Sequence, residues 1–296
     1  MSDSIAYLNG AWLPLAQARV PVQDRGFIFG DGVYEVIPVY SGRPLRLPEH
    51  LARLQNSLDA LRIANPHSAA DWTALLHELV ARHPWPDQCL YLQVTRGVAK
   101  RDHAFPKDAV PTVFLTSSPL ATPSREEIEH GVAAVTATDY RWGRCDIKSI
   151  ALLGNVMLRQ VAVDAGATET VLFRDGLLTE GAASNVFVVV GDLLLAPPKS
   201  HLILPGITYD LVLELAAASG VPYRVREVTE RETLSACELW LTSSTKEVLA
   251  ITTLNAHPVG TGKPGPVFRR MHALYQEYKT TVSAGELQPA SAEARA

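Results

Sequence analysis

Four stretches of the chain hold residue types that could do chemistry at short spacing. Residues 144–155 read Arg144-Cys145-Asp146-Ile147-Lys148-Ser149-Ile150-Ala151-Leu152-Leu153-Gly154-Asn155, with one lysine beside an apolar run that opens a helix. A lysine withdrawn from water has a lowered pKa and can act as a Schiff-base nucleophile. Residues 179–185, Thr179-Glu180-Gly181-Ala182-Ala183-Ser184-Asn185, set a carboxylate among small residues between two expected strands. Small residues let a flat ligand approach the backbone. Leu204-Pro205-Gly206-Ile207-Thr208 stands at an expected helix start, where free N–H groups and the helix dipole favour an anion. Arg96-Gly97 and Arg101-Asp102-His103 form a basic loop after a strand, and an arginine there could grip a carboxylate with two hydrogen bonds. Each stretch alone is also what a surface lysine, an ordinary turn, a helix start or a solvated loop would show. No GxGxxG, Walker, GxSxG or HExxH motif is present, so the common nucleotide, hydrolase and zinc-protease readings have no support.

The elements that must position these residues follow from periodicity. Residues 5–8 and 33–40 read as strands, with Asn9-Gly10 as a tight hairpin turn. Pro48-Glu49 opens a helix with Leu51, Leu54, Leu58 and Leu61 on one face, and a second helix covers residues 70–82. Strands follow at 90–95 and 113–116. The polar, proline-bearing residues 117–124 are the best linker candidate. Beyond them, strands are expected at 132–138, 170–173, 185–190 and 238–242, the last clear one. Helices are expected at 152–164 and 207–219. Thr229 and Glu232 make a capping box for a short helix. The tail after about residue 286 reads as frayed. The pattern predicts an α+β fold in two domains, 1–119 and 120–296, with hairpins outweighing strict βαβ alternation.

Composition narrows the function. The chain has 296 residues, 47% of them hydrophobic and 20% charged, which is globular. With 27 basic residues against 31 acidic ones the net charge is −4, so neither nucleic acid nor an anionic membrane surface is an expected partner. Cys89, Cys145 and Cys237 are far apart and show neither zinc spacing nor a disulfide ladder. No metal is expected. With no signal-like start and no membrane-length apolar run, a soluble, cytoplasmic protein is expected.

Taken in order, these segments resemble the fold-type IV aminotransferases, and within that family the enzymes acting on D-amino acids. The carrying stretches are Asp24-Arg25-Gly26-Phe27-Ile28-Phe29-Gly30-Asp31-Gly32-Val33-Tyr34-Glu35-Val36 and Glu49-His50-Leu51-Ala52-Arg53-Leu54. Val94-Thr95-Arg96-Gly97 and Arg101-Asp102-His103 follow, then the Lys148 segment, Thr179-Glu180-Gly181, Gly206-Ile207-Thr208 and Thr242-Ser243-Ser244. The resemblance implies a small N-terminal α/β domain, a larger C-terminal domain, pyridoxal 5'-phosphate in the cleft between them, and a homodimer. It implies Lys148 as the Schiff-base lysine and Glu180 as the acid paired with the pyridine nitrogen. Arg53, Ile207, Thr208, Ser243 and Ser244 match the phosphate-binding set. Tyr34, Arg101 and His103 match the set that holds the substrate α-carboxylate, with the Arg101–His103 loop supplied by the partner subunit.

The implied reaction is transamination between a D-amino acid and a 2-oxo acid, for example D-alanine with 2-oxoglutarate. Branched-chain L-amino acid and (R)-amine transaminases and aminodeoxychorismate lyase are the alternatives within the fold. Three departures stand out. Ala182 and Ala183 replace expected serines, Ser244 stands for threonine, and Ile28 lies in a segment often more polar.

Overall fold

The computed structural model describes residues 4–285, which form two compact units. The first takes the described chain up to Ala121, Lys148–Ala151 and the residues from Tyr278 onward; the second takes Thr122–Ile147 and Leu152–Glu277. Two segments thus depart from a single cut after residue 119.

In the first unit, β1 (Ile5–Leu8) and β2 (Ala11–Pro14) form a hairpin through Asn9 and Gly10, both with positive φ. A one-turn helix α1 (Arg25–Phe29) leads into β3 (Gly32–Tyr40), followed by the short β4 (Arg43–Pro44). Helices α2 (Leu47–Leu61) and α3 (Ala69–Ala81) precede the long antiparallel pair β5 (Gln88–Thr95) and β6 (Thr112–Pro119). The sheet order is β2-β1-β6-β5-β3-β4.

Alternation along β3 sends Val33, Ile37 and Val39, all fully buried, to one side together with Glu35. Of the four leucines expected on one face of α2, Leu51, Leu54 and Leu58 are buried and Leu61 is half-buried. Burying each is worth about 1.5–3 kcal/mol. Residues 148–150 lie along the first part of β3: Tyr34 N–H donates to the Lys148 carbonyl (3.0 Å) and Ile150 N–H to that of Gly32 (3.0 Å), around an antiparallel bridge between Val33 and Ser149.

The second unit opens with α4 (Arg125–His130) and β7 (Val132–Thr138), then α5 (Leu153–Asp164), β8 (Glu169–Arg174), β9 (Leu177–Gly181), β10 (Asn185–Val190) and β11 (Leu193–Ala196). Next come α6 (Ile207–Ser219), β12 (Tyr223–Val225), α7 (Glu230–Leu234), β13 (Glu238–Ser243), β14 (Glu247–Leu254) and β15 (His257–Pro258). The strands make one sheet in the order β12-β11-β10-β13-β14-β7-β8-β9, with β15 on β14. Its pairings are mostly antiparallel, while β11–β12, β14–β7 and β7–β8 are parallel. One face is lined by Val171, Val186, Val188, Leu195, Leu239, Leu241, Leu249 and Ile251. A last helix, α8 (Pro266–Ala284), ends the described chain.

Three local expectations are corrected. Residues 117–119 belong to β6 and Ser124 caps α4 in a capping box with Glu127, so the linker narrows to residues 120–123. The strand at 238–243 is not the last, since β14 and β15 follow it. The helix after Lys148 runs Leu153–Asp164 with Leu152 as its N-cap, as expected to within one residue. Glu180 lies inside β9 and not in a connection between strands. The expected frayed tail lies outside the described residues.

Candidate active site

In the first unit the expected lysine and tyrosine meet. Lys148 Nζ lies 4.2 Å from the centroid of the Tyr34 ring, and the Lys148 N–H donates to Ser57 Oγ on α2 (3.2 Å). The ring of Tyr34 stacks at 5.8 Å on that of Tyr91 from β5.

One helical turn before Ser57, Arg53 donates through Nε and Nη2 to the two carboxylate oxygens of Glu35, both at 2.8 Å. His50 Nδ1 shares the same carboxylate at 2.8 Å. Glu35 has no solvent exposure. Burial alone would raise its pKa, but Arg53 and His50 outweigh that and hold it at about 2. Burial lowers the pKa of His50 against the pull of Glu35. Arg53, expected at a phosphate, thus already grips an acid that the sequence reading did not single out. The signal was available: Glu35 is a charge inside an otherwise apolar strand, and His50, Arg53 and Ser57 recur on one face of α2.

Arg101 and His103 are exposed on the loop after β5. Gly97 opens that loop with φ +92°, and a Cβ there would fall 1.8 Å from the Val110 carbonyl oxygen, so only glycine fits.

In the second unit Glu180 is fully surrounded. Arg141 Nη1 donates to its Oε1 at 2.6 Å, while Asn185 Nδ2 (3.2 Å) and the Leu204 N–H (3.0 Å) donate to its Oε2. Burial pushes its pKa up to about 7, in spite of Arg141. Arg141 in turn grips Asp139 through Nε and Nη2, both at 2.9 Å. Arg174 lies 3.1 Å from the same acid. The row Arg174–Asp139–Arg141–Glu180 alternates in sign, which a buried set of charges requires. Asp139 and Arg141 were also missed; neither stands in a stretch that repeats or punctuates.

Gly206 caps α6 without any side chain, and a Cβ on it would fall 2.0 Å from Asn185 Oδ1. Ile207 and Thr208 are the first residues of that helix. Asn185 stands in register with Thr242 across β10 and β13. Thr242 Oγ1 is a buried hydroxyl with no hydrogen-bond partner among the described residues. Ser243 ends β13, and its Oγ accepts from the Lys246 N–H (3.0 Å) across a turn that includes Ser244. Lys246 Nζ and Ser184 Oγ both bind Glu169 Oε2, at 2.7 and 2.6 Å. Ala182 packs with Leu158 and Leu172, so the methyl group that replaces an expected serine is in an apolar setting. Each unit therefore gathers its own share of the expected residues: Lys148, Tyr34, Arg53, Arg101 and His103 in one, Glu180, Ile207, Thr208, Ser243 and Ser244 in the other.

Comparison with known proteins gives the family and the fold. Residues 32–254 match the family described as Amino-transferase class IV. The chain is 42% identical over 268 residues to a D-alanine aminotransferase of Bacillus licheniformis, covering 90% of this chain and 94% of that one. It is 33% identical over 272 residues to one of Staphylococcus aureus (strain COL), covering 92% and 96%. Among solved structures, the branched-chain amino acid aminotransferase of Escherichia coli superposes with a TM-score of 0.90 at 22% identity, covering 99% of this chain and 98% of that one. The branched-chain amino acid aminotransferase of Thermoproteus uzoniensis, solved with norvaline, gives 0.85 at 22% identity, covering 96% of each chain. These two structural likenesses speak for the fold; the family match and the identity to the curated relatives place this chain among the class IV aminotransferases.

Proposed function

We propose that the protein transfers the amino group of a D-amino acid to a 2-oxo acid, with pyridoxal 5'-phosphate as cofactor. The observation that carries this reading is the 42% identity, over 90% of the chain, to a relative named D-alanine aminotransferase. The donor set fits the cofactor: a helix start without a side-chain cap, the buried unpartnered hydroxyl of Thr242 and a buried carboxylate at Glu180. When bound, pyridoxal phosphate supplies an electron sink for the charge that develops at the substrate Cα.

The chain's own residues do the rest. Lys148 would hold the cofactor through Nζ and, once the substrate amine has taken its place, its freed amine would move the proton at the substrate Cα. Glu180, steadied by Arg141 and Asn185, offers a negative charge to the ring nitrogen. Ile207 and Thr208, at the start of α6, with Ser243 and Ser244, donate to the phosphate. Arg53 belongs to the same phosphate set by the resemblance of residues 49–54. Tyr34, Arg101 and His103 bind the α-carboxylate and fix which face of Cα is presented.

The domain division expected near residue 120, a homodimer that completes each site, and a cytoplasmic location belong to the same proposal. The test is a panel of amino donors in both enantiomers together with a simple amine. Turnover of D-alanine with 2-oxoglutarate well above that of any L-amino acid supports the reading. Preference for branched-chain L-amino acids or for the amine overturns it.

A further inference from the structure

Arg101 and His103 stand on an exposed loop, yet the proposed function asks them to hold a carboxylate at a fixed place. The loop is tied down from below by a buried arginine. Arg25, 3% exposed, donates from Nη1 to the carbonyl oxygens of Asp102 (2.6 Å) and Ala104 (3.4 Å), which flank His103. Its Nε donates to Asp31 Oδ2 at 2.7 Å. Asp31 is shared with Arg96, whose Nε and Nη2 reach the two carboxylate oxygens at 2.8 and 3.0 Å. The same Arg96 side chain donates to the carbonyls of Leu61 and Arg62 at the end of α2 and lies 3.7 Å from the centroid of the Phe105 ring. Phe29 completes the floor: its ring centroid is 4.7 Å from the Arg25 guanidinium carbon, 5.4 Å from that of Arg101 and 5.5 Å from the His103 ring centroid.

The geometry points to Arg25, held by Asp31, as a positioning residue for substrate-carboxylate recognition: it fixes the backbone on either side of His103, and through Phe29 the heading of Arg101. This rests on the proposed reading of Arg101 and His103. Two guanidinium groups on one carboxylate lock that acid in place; burial opposes its ionisation, but Arg96 and Arg25 hold Asp31 below the usual carboxylate range. A lysine at position 25 would keep the charge but lose the fork that serves three acceptors in different directions. Arg25 needs no contact with substrate in this role. Its effect passes through the loop, so it must shrink when Arg101 is gone and vanish when Arg101 and His103 are both gone.

That gives a double-mutant test on the cofactor-loaded enzyme. Arg25→Met should raise the KM for D-alanine about tenfold, leave kcat within about twofold and leave the dissociation constant of pyridoxal phosphate unchanged. Arg25→Lys should resemble it. In an Arg101→Ala/His103→Ala background the same Arg25→Met change should alter KM by less than about twofold. Asp31→Asn, which keeps the side-chain shape, repeats the test if Arg25→Met does not fold. An unchanged KM in both Arg25→Met and Asp31→Asn overturns the inference, as does an equal loss with and without Arg101. If Arg101→Ala itself leaves KM unaltered, the carboxylate reading of the loop fails and takes the inference with it. If Arg101→Ala raises KM and the Arg25 and Asp31 variants do not, the positioning role alone fails.

Discussion

Arg53 and Glu35 form a two-pronged ion pair, with Nε and Nη2 each 2.8 Å from a different carboxylate oxygen and the acid out of reach of water. A residue expected to serve a phosphate is therefore part of the folding core as well. Removing it would strand a buried charge, at a cost of about 3–5 kcal/mol. Arg53→Ala should lower the unfolding free energy by that order and also weaken cofactor binding. Adding Glu35→Gln should restore most of the stability without restoring the affinity. Chemical denaturation and cofactor titration of the single and double variants check this. Recovery of both properties together would show that Arg53 acts on the cofactor only through the fold.

Lys148 should carry the cofactor covalently. Borohydride reduction followed by peptide mapping is expected to place the label on Lys148, and Lys148→Ala should leave the protein unlabelled. A label on Lys199 or Lys246 would refute the assignment.

Glu180 gives a pH dependence whose sign can be worked out. Its pKa in the folded, cofactor-free protein is about 7, raised by burial above the ordinary 4.5. The folded state therefore binds this proton more tightly than the unfolded state. The resulting stability is fully present below pH 4.5 and is lost as pH rises through 7. The size is about 3 kcal/mol. Glu180→Gln should flatten that part of the stability curve between pH 4.5 and 7. In the loaded enzyme it should cut turnover about ten- to a hundredfold, the scale of one charge-assisted contact. A wild-type-like slope in Glu180→Gln would mean that another group titrates there.

Arg101→Ala separates carboxylate recognition from general support of the loop. With D-alanine the loss in kcat/KM should be about ten- to a hundredfold, the equivalent of 1.5–3 kcal/mol. An amine without a carboxylate should be little affected. Equal losses for both would leave Arg101 a structural residue only.

Much of this architecture can be read from residues alone, wherever a pattern is local. The leucine face of α2, the Asn9-Gly10 turn, the Thr229–Glu232 capping box and the helix at Ile207–Ser219 all form from neighbours in the chain. What escapes is what depends on distant partners. Strand β14 is buried at seven of its eight positions, so it lacks the alternation that marks a half-exposed strand. Helix α8 buries only Phe268, Met271 and Tyr275 along 19 residues, too sparse an apolar stripe to announce itself. Within the site, Lys148 and Glu180 stood out by type and setting. Glu35 acquires its meaning from His50 and Arg53 on the next helix, and the Asp139–Arg141 pair from Thr179 and Glu180 some forty residues on.

The strand-like seat of Lys148 carries one more consequence. Two main-chain hydrogen bonds, to Tyr34 and Gly32, hold residues 148–150 in step with β3. Extended chain points successive side chains to opposite sides, so the lysine's direction is a matter of odd or even count. One residue added or removed between Asp146 and Lys148 would turn the amine away from the Tyr34 ring if the pairing slipped with it, while every side chain of the site kept its chemical identity. The Lys148 nitrogen is thus addressed by arithmetic along the backbone, and the protein should tolerate changes of residue type in this segment far better than changes of its length.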